Sequence, residues 1–288
     1  MAPAAVRAVA RAKINLYLHV VGRRADGYHL LDSLVAFAEV GDEIVAEPAT
    51  KLSLAIHGPH APGLKEPVEK NLVWRAAALL AAHVGRSPDA ALTLIKHLPV
   101  ASGIGGGSSD AAATLHALAA LWRIDLDETA LAALGARLGA DVPVCLASRV
   151  SWLGGIGERI EPAPPLPAVT ALLVNPGIAL PTAAVFKARQ GAFSATGRFD
   201  TAAPDAASLA SLLAMRRNDL TAAAIGLVPA IGAVLERLAA LDGALIARMS
   251  GSGATCFALF ATPAAAAAAA AGLRQERPLW WIAAGKLF

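Results

Sequence analysis

The stretch PVASGIGGGSSDAAATL, residues 99–115, sets four glycines (Gly103, Gly105, Gly106 and Gly107) between an extended run and an alanine- and leucine-rich one. Glycine adopts positive φ at little steric cost and lets several backbone N–H groups converge on one anion. A helix start adds unpaired N–H groups and the positive end of the helix dipole. Strand, glycine loop and helix in that order make a phosphate cradle. Its candidate residues are Pro99, Val100, Ala101, Ser102, Gly103, Ile104, Gly105, Gly106, Gly107, Ser108 and Ser109, with Ser108 or Ser109 also suited to cap the helix. A glycine cluster alone is as often a turn without a ligand, and here it is the flanks that favour phosphate. The commoner phosphate loops do not fit: GxxxxGK[ST] needs a lysine that is absent, and GxGxxG fails because Ser108 stands at its third glycine.

Upstream of the loop, Lys13 to Val21 alternates Ile14, Leu16, Leu18 and Val20 with Lys13, Asn15, Tyr17 and His19, the period of a strand. Leu34–Ala38, Glu43–Glu47, Leu52–His57 and Ala91–Ile95 also read as strands, and Asn71–Val84 as a helix capped by Asn71 and stopped before Gly85. Downstream, helices are expected over Ser108–Trp122 and Glu128–Leu138, the second ending at Gly139 and leading into GADVP, where Pro143 suits a first helical turn. EPAPPLP, residues 161–167, admits neither regular helix nor central strand, so the domain boundary is placed there, giving domains 1–162 and 163–288. Beyond it come a strand (Val169–Val174), a helix begun by Pro181 and Thr182, and a helix over Pro229–Leu241. A strand, the turn GSGAT, a strand, an alanine-rich helix and a last strand follow. The class is α+β in two domains.

Of the 288 residues 56% are hydrophobic and 16% charged, enough for a buried core and unlike a disordered chain. Mean hydropathy is +0.53, yet no strongly apolar run reaches the roughly 18 residues of a membrane span, so a soluble protein is expected. A net charge of +3 fits an anionic ligand; scattered basic residues and 5% aromatics do not favour nucleic acid. Cys145 and Cys256, the only cysteines, lie in apolar segments and read as buried small hydrophobes of a reducing cytoplasm. The start, MAPAAVRAVARAK, carries no secretory signal pattern. His57 and His60 have no third ligand at metal spacing, so no zinc is expected.

PVASGIGGGSSDAA resembles the second motif of the GHMP kinases, AKINLYLHVVGRRADGYH (residues 12–29) resembles the first, and MSGSGATCF (residues 249–257) the third. With GADVP, the four segments span nearly the whole chain in the family's order. The resemblance implies a small-molecule kinase using ATP with Mg2+. It also implies an N-terminal domain like domain 2 of ribosomal protein S5 and a ferredoxin-like C-terminal domain. AKINLYL, DGYH and GADVP are most similar to members that act on a cytidyl diphosphate alcohol. Homoserine- or mevalonate-type substrates, or a nucleotide-binding protein without activity, are the alternatives.

Taken singly, a lysine on a strand and an aspartate before a proline are usually a solvated charge and a helix cap. The resemblance implies instead that Lys13 and Asp141 are the catalytic pair, the carboxylate as base or stabiliser and the ammonium drawing the hydroxyl toward its anionic form. Asn15 shares the face of Lys13 and is suited to orient the same hydroxyl or a phosphate. For the cytidine the resemblance points to Tyr28, His29 and Phe186, two rings to stack on the base and a histidine to read its edge. Thr182 either caps its helix or meets the substrate diphosphate, and Lys96 either faces nucleotide or is a surface charge.

Overall fold

The computed structural model describes residues 5–288; residues 1–4, the start of the stretch read as lacking a signal, lie outside the described residues. Packing divides the chain into two compact units that interleave along the sequence. The first takes residues 5–12, Gly41–Val100 and Gly105–Ser148; the second takes Lys13–Val40, Ala101–Ile104 and Arg149–Phe288. Strands β1 (Val6–Arg23) and β2 (His29–Pro48) each contribute to both. At about 3.3 Å per residue, an 18-residue strand is roughly 60 Å long, more than one compact unit needs. A cut in chain order near residue 162 and a cut by packing therefore differ. Asp26 and Gly27, the expected turn pair, lie in the β1–β2 connection, where Arg24 donates to the Tyr28 carbonyl.

In the first unit, the C-terminal part of β2 pairs antiparallel with β4 (Ala90–Ile95), from Glu43 opposite Ile95 to Pro48 opposite Ala90. Strand β3 (Ser53–His57) runs parallel to β4. Helices α1 (Leu72–His83), α2 (Gly106–Trp122), α3 (Glu128–Leu138) and α4 (Val142–Ala147) pack on one another. Helix α1 buries Val73, Ala76, Ala77, Leu80 and Ala81, one helical face, and Asn71 caps it by accepting from the Val73 N–H. Helix α2 is buried almost all round, which its alanines permit by letting neighbours come close. It starts at Gly106, two residues before the expected start, and its N-cap is Gly105 in the left-handed region (φ +66°). Ser108 and Ser109 are therefore inside the helix and cap nothing.

In the second unit, the N-terminal part of β2 pairs with β5 (Ser151–Gly155), and β5 with β6 (Arg159–Pro162), whose proline ends an edge strand. A separate antiparallel sheet has the order β10 (Trp281–Lys286), β7 (Thr170–Asn175), β9 (Cys256–Phe260), β8 (Ile246–Met249). Helix α8 (Ala230–Ala239) precedes β8 and α9 (Pro263–Glu276) joins β9 to β10. Numbered along the chain, these strands lie in the order 4-1-3-2 with a helix after the first and third, the ferredoxin-like arrangement. Three further helices, α5 (Thr182–Ala188), α6 (Ala206–Ala214) and α7 (Thr221–Leu227), fall between β7 and α8. Leu172, Val174, Val234, Leu238, Met249, Cys256, Phe260 and Leu273 form this unit's core, so Cys256 is the buried hydrophobe expected.

Candidate active site

Strand β1 is buried on both faces from Ala12 to His19, which explains why its polar positions are not a solvent face. Lys13 is 4% exposed and Asn15 3%, so the solvated-charge reading of the lysine is overturned. Asn15 donates through Nδ2 to Ser33 Oγ at 2.8 Å, and its N–H donates to Ser250 Oγ at 3.1 Å. The Lys13 N–H donates to the Ile104 carbonyl at 2.9 Å, laying β1 beside the glycine loop within the second unit.

The loop portion Ala101–Ile104 is fixed by backbone contacts. Thr255 donates to the Ser102 carbonyl (3.0 Å), Leu180 to that of Ala101 (3.2 Å), and the Ser250 hydroxyl to that of Gly103 (3.2 Å). Gly103 has φ +76°, and a Cβ there would stand 2.6 Å from Gly253 N and O. Only glycine fits where two chain segments touch backbone to backbone. The second and third glycine-rich segments, separated by about 150 residues in sequence, thus pack directly on each other. Ala101 also has positive φ, at +50°.

In the first unit, the N–H groups of Gly106, Gly107 and Ser108 head α2, where no partner four residues back exists within the helix. Ser109 is turned inward: its N–H bonds Gly105 O (2.8 Å), and its hydroxyl bonds Arg11 O (2.7 Å) and contacts Cys145 Sγ. Asp141 occupies the N-cap position of α4 without a side-chain capping hydrogen bond, and Pro143 lies in the first turn as expected. Lys96 is no surface charge. It is 2% exposed and donates to Asp42 Oδ2 at 2.5 Å and Asp110 Oδ2 at 2.7 Å. Burial alone would depress the lysine, but Asp110 and Asp42 outweigh it and hold its pKa above the ordinary value.

Back in the second unit, His29 stacks on Phe186, with ring centroids 5.2 Å apart and planes 25° from parallel. Burial first, then the charges of Arg23 and Arg189, hold the His29 pKa below its ordinary value. This favours the neutral ring, with one donor and one acceptor nitrogen. Tyr28 is 61% exposed beside this pair in sequence. Thr182 is not the cap of α5, a place taken by Pro181; its hydroxyl meets that of Ser252 in the third glycine-rich segment at 2.9 Å. Ser250 and Asn218 were not singled out in the sequence. Asn218 Nδ2 donates to Met249 O and Gly251 O, both at 2.8 Å, and so holds the third segment in shape. No local pattern marks such an asparagine.

The model of the GHMP kinases N terminal domain matches residues 71–149, and that of the GHMP kinases C terminal domain matches residues 198–278. The chain belongs to the GHMP kinases. Among its relatives, a 4-diphosphocytidyl-2-C-methyl-D-erythritol kinase of Rhodospirillum rubrum is 53% identical, covering 96% of this chain and 90% of that one. One of the same name from Cereibacter sphaeroides is 56% identical over 96% of both chains. A crystal structure of 4-(cytidine 5'-diphospho)-2C-methyl-D-erythritol kinase superposes with a TM-score of 0.79 at 37% identity, covering 98% of both chains. A homoserine kinase from Cytophaga hutchinsonii, TM-score 0.71 at 17% identity over 98% of this chain and 94% of that one, shares the fold.

Proposed function

We propose that the chain transfers the γ-phosphoryl group of ATP to the 2-hydroxyl of 4-diphosphocytidyl-2-C-methyl-D-erythritol, giving the 2-phosphate in non-mevalonate isoprenoid precursor biosynthesis. What supports the reading beyond a generic kinase is that His29 and Phe186, two of the residues assigned to the cytidine, lie together, Phe186 offered as the aromatic platform and His29 as the polar group, in a chain whose full-length relatives carry that name. Homoserine- and mevalonate-type substrates have no base to place there.

Phosphoryl transfer needs positioning and charge stabilisation more than covalent help from the protein. Asp141 takes the proton of the 2-hydroxyl, and Lys13 draws that oxygen toward its anionic form. The oxygen attacks the γ-phosphorus as the bond to the β-bridging oxygen breaks, and ADP leaves. Asn15, fixed by Ser33 and Ser250, orients the acceptor. Backbone N–H groups of the 99–109 loop receive the ATP phosphates, and magnesium arrives with ATP as part of the substrate. Tyr28 and Phe186 enclose the cytosine, neutral His29 reads its polar edge, and Thr182 meets the diphosphate. Residues 1–162 carry ATP binding and catalysis and 163–288 form the C-terminal kinase domain, a division supported by family matches that fall on either side of it. The protein works in the cytoplasm on a small molecule, without nucleic-acid or membrane partners. Free Cys145 and Cys256 fit that compartment, and among the described residues no helix is long and apolar enough to cross a membrane.

Phe186→Ala tests the platform. A lost stacking contact of about 1 to 3 kcal/mol should raise KM for the cytidyl alcohol roughly 5- to 150-fold and leave KM for ATP near wild type. Steady-state kinetics with each substrate varied in turn decides it, and an unchanged KM for the alcohol would remove Phe186 from the site.

A further inference from the structure

Asp42, Lys96 and Asp110 stand 54 and 14 residues apart and meet in one buried cluster of the first unit. Asp42, on β2, accepts through Oδ1 from the N–H groups of His97 (2.6 Å) and Leu98 (2.7 Å), the last two residues before the glycine loop. Its Oδ2 accepts from Lys96, just after β4, and Lys96 donates again to Asp110, which follows the 99–109 segment in the second turn of α2. The lysine also lies under the helix start: a Cβ on Gly106 would stand 3.1 Å from Nζ. One oxygen of Asp110, Oδ1, is buried with no hydrogen-bond partner, although the residue is 3% exposed. An unpaired buried oxygen costs stability and calls for an explanation.

We propose that Asp110, acting through Lys96 and Asp42, is a positioning residue for nucleotide binding, one half of a clamp that joins the entry and the exit of the glycine loop. The inference rests on the reading of that loop as the ATP site. The entry is held by Asp42, the exit by Lys96, and the shared ammonium makes the two ends one rigid body. Phosphate binding by backbone N–H groups depends on their mutual direction, so freeing the exit weakens ATP while leaving the acceptor alcohol untouched. The other titratable groups near the cluster are His60 and His97; His60 senses Asp42, Lys96 and His97 by charge.

Asp110→Ala is the informative variant, because it leaves Lys96 and Asp42 as a neutral, satisfied pair, whereas removing Lys96 would set two carboxylates face to face. KM for MgATP is expected to rise about tenfold or more, with kcat and KM for the cytidyl alcohol within about twofold of wild type. Asp110→Asn keeps an oxygen that accepts from Lys96 and is expected within about threefold of the wild-type KM. Asp110→Ala with a wild-type KM for MgATP, or a loss carried by kcat or by the alcohol, overturns the proposal. If Asp110→Ala does not fold, amide exchange of the wild type with MgADP decides. Protection of His97 and Leu98 rising together with Gly105 to Ser109 supports the clamp, and protection confined to the loop overturns it. Wild-type protein that binds no MgATP defeats the loop assignment itself; binding that is insensitive to Asp110 defeats only the clamp.

Discussion

At the scale of single residues, Asp141 stands where a helix cap should be and makes no capping bond. Asparagine keeps the size and shape of this side chain and removes the charge that the proposed base role needs. Asp141→Asn is expected to lower kcat by about two orders of magnitude or more, with ATP affinity close to wild type. Near-normal turnover in that variant would take Asp141 out of the catalytic role. Asp110 makes a second prediction, through pH. Burial, with Asp42 adding and Lys96 opposing, pushes its carboxyl up to about 7. An unfolded aspartate titrates near about 4, so the folded state holds the proton more tightly between those values. This contribution to stability is fully present below about pH 4 and is lost as pH rises through about 7. Between about pH 5 and 8 the wild type should lose stability relative to Asp110→Asn, seen as urea midpoints of the two proteins that diverge with pH. Parallel midpoints would contradict the raised pKa. Neither Asp42 nor Asp110 was legible as a partner of Lys96 in the sequence, because 54 and 14 residues of chain separate them and no motif marks either. The buried state of Lys13 was likewise hidden: alternation tells two faces apart but not which of them is covered, and here both are.

At the scale of elements, the helices with a clear cap or stop stood close to where the sequence put them. Asn71 caps α1, and α3 spans Glu128–Leu138 as expected. Helix α2 departed because a left-handed glycine, not a serine, turns the chain into it. Strands β5 and β6 were not read at all. They are five and four residues long, one ends in two glycines, and their register comes from pairing with β2 and each other rather than from their own propensity. The separate runs Leu34–Ala38 and Glu43–Glu47 proved to be one strand, β2, since Gly41 is held in extended pairing where a Cβ would strike the Ala10 carbonyl at 2.5 Å. The contact of the two glycine-rich segments gives this scale its prediction. Gly103→Ala adds a side chain at φ +76° and 2.6 Å from the Gly253 backbone. The variant should lose at least about 2 kcal/mol of stability and bind ATP more weakly, measured by chemical unfolding and by nucleotide titration. Wild-type stability and affinity together would show that the two segments are not locked.

At the scale of the whole molecule, four short segments spread along the chain carried the functional reading, and no single one of them would have sufficed. The glycine loop alone gave an anion site; the segments around Lys13, Asp141 and Met249 to Phe257 gave a kinase family, and DGYH with Phe186 gave a substrate. The interleaving of the two packed units was not legible, because long strands that serve both carry no boundary signal in composition. The order 4-1-3-2 of the C-terminal sheet likewise follows from long-range pairing that local patterns do not record. The reaction at issue is phosphoryl transfer from ATP to a cytidyl diphosphate alcohol. Coupled release of ADP, followed with 4-diphosphocytidyl-2-C-methyl-D-erythritol, homoserine and mevalonate as acceptors under one set of conditions, tests it most directly. Turnover with the cytidyl alcohol and none above background with the other two is the predicted result. Turnover of a non-nucleotide alcohol with none of the cytidyl substrate would contradict it.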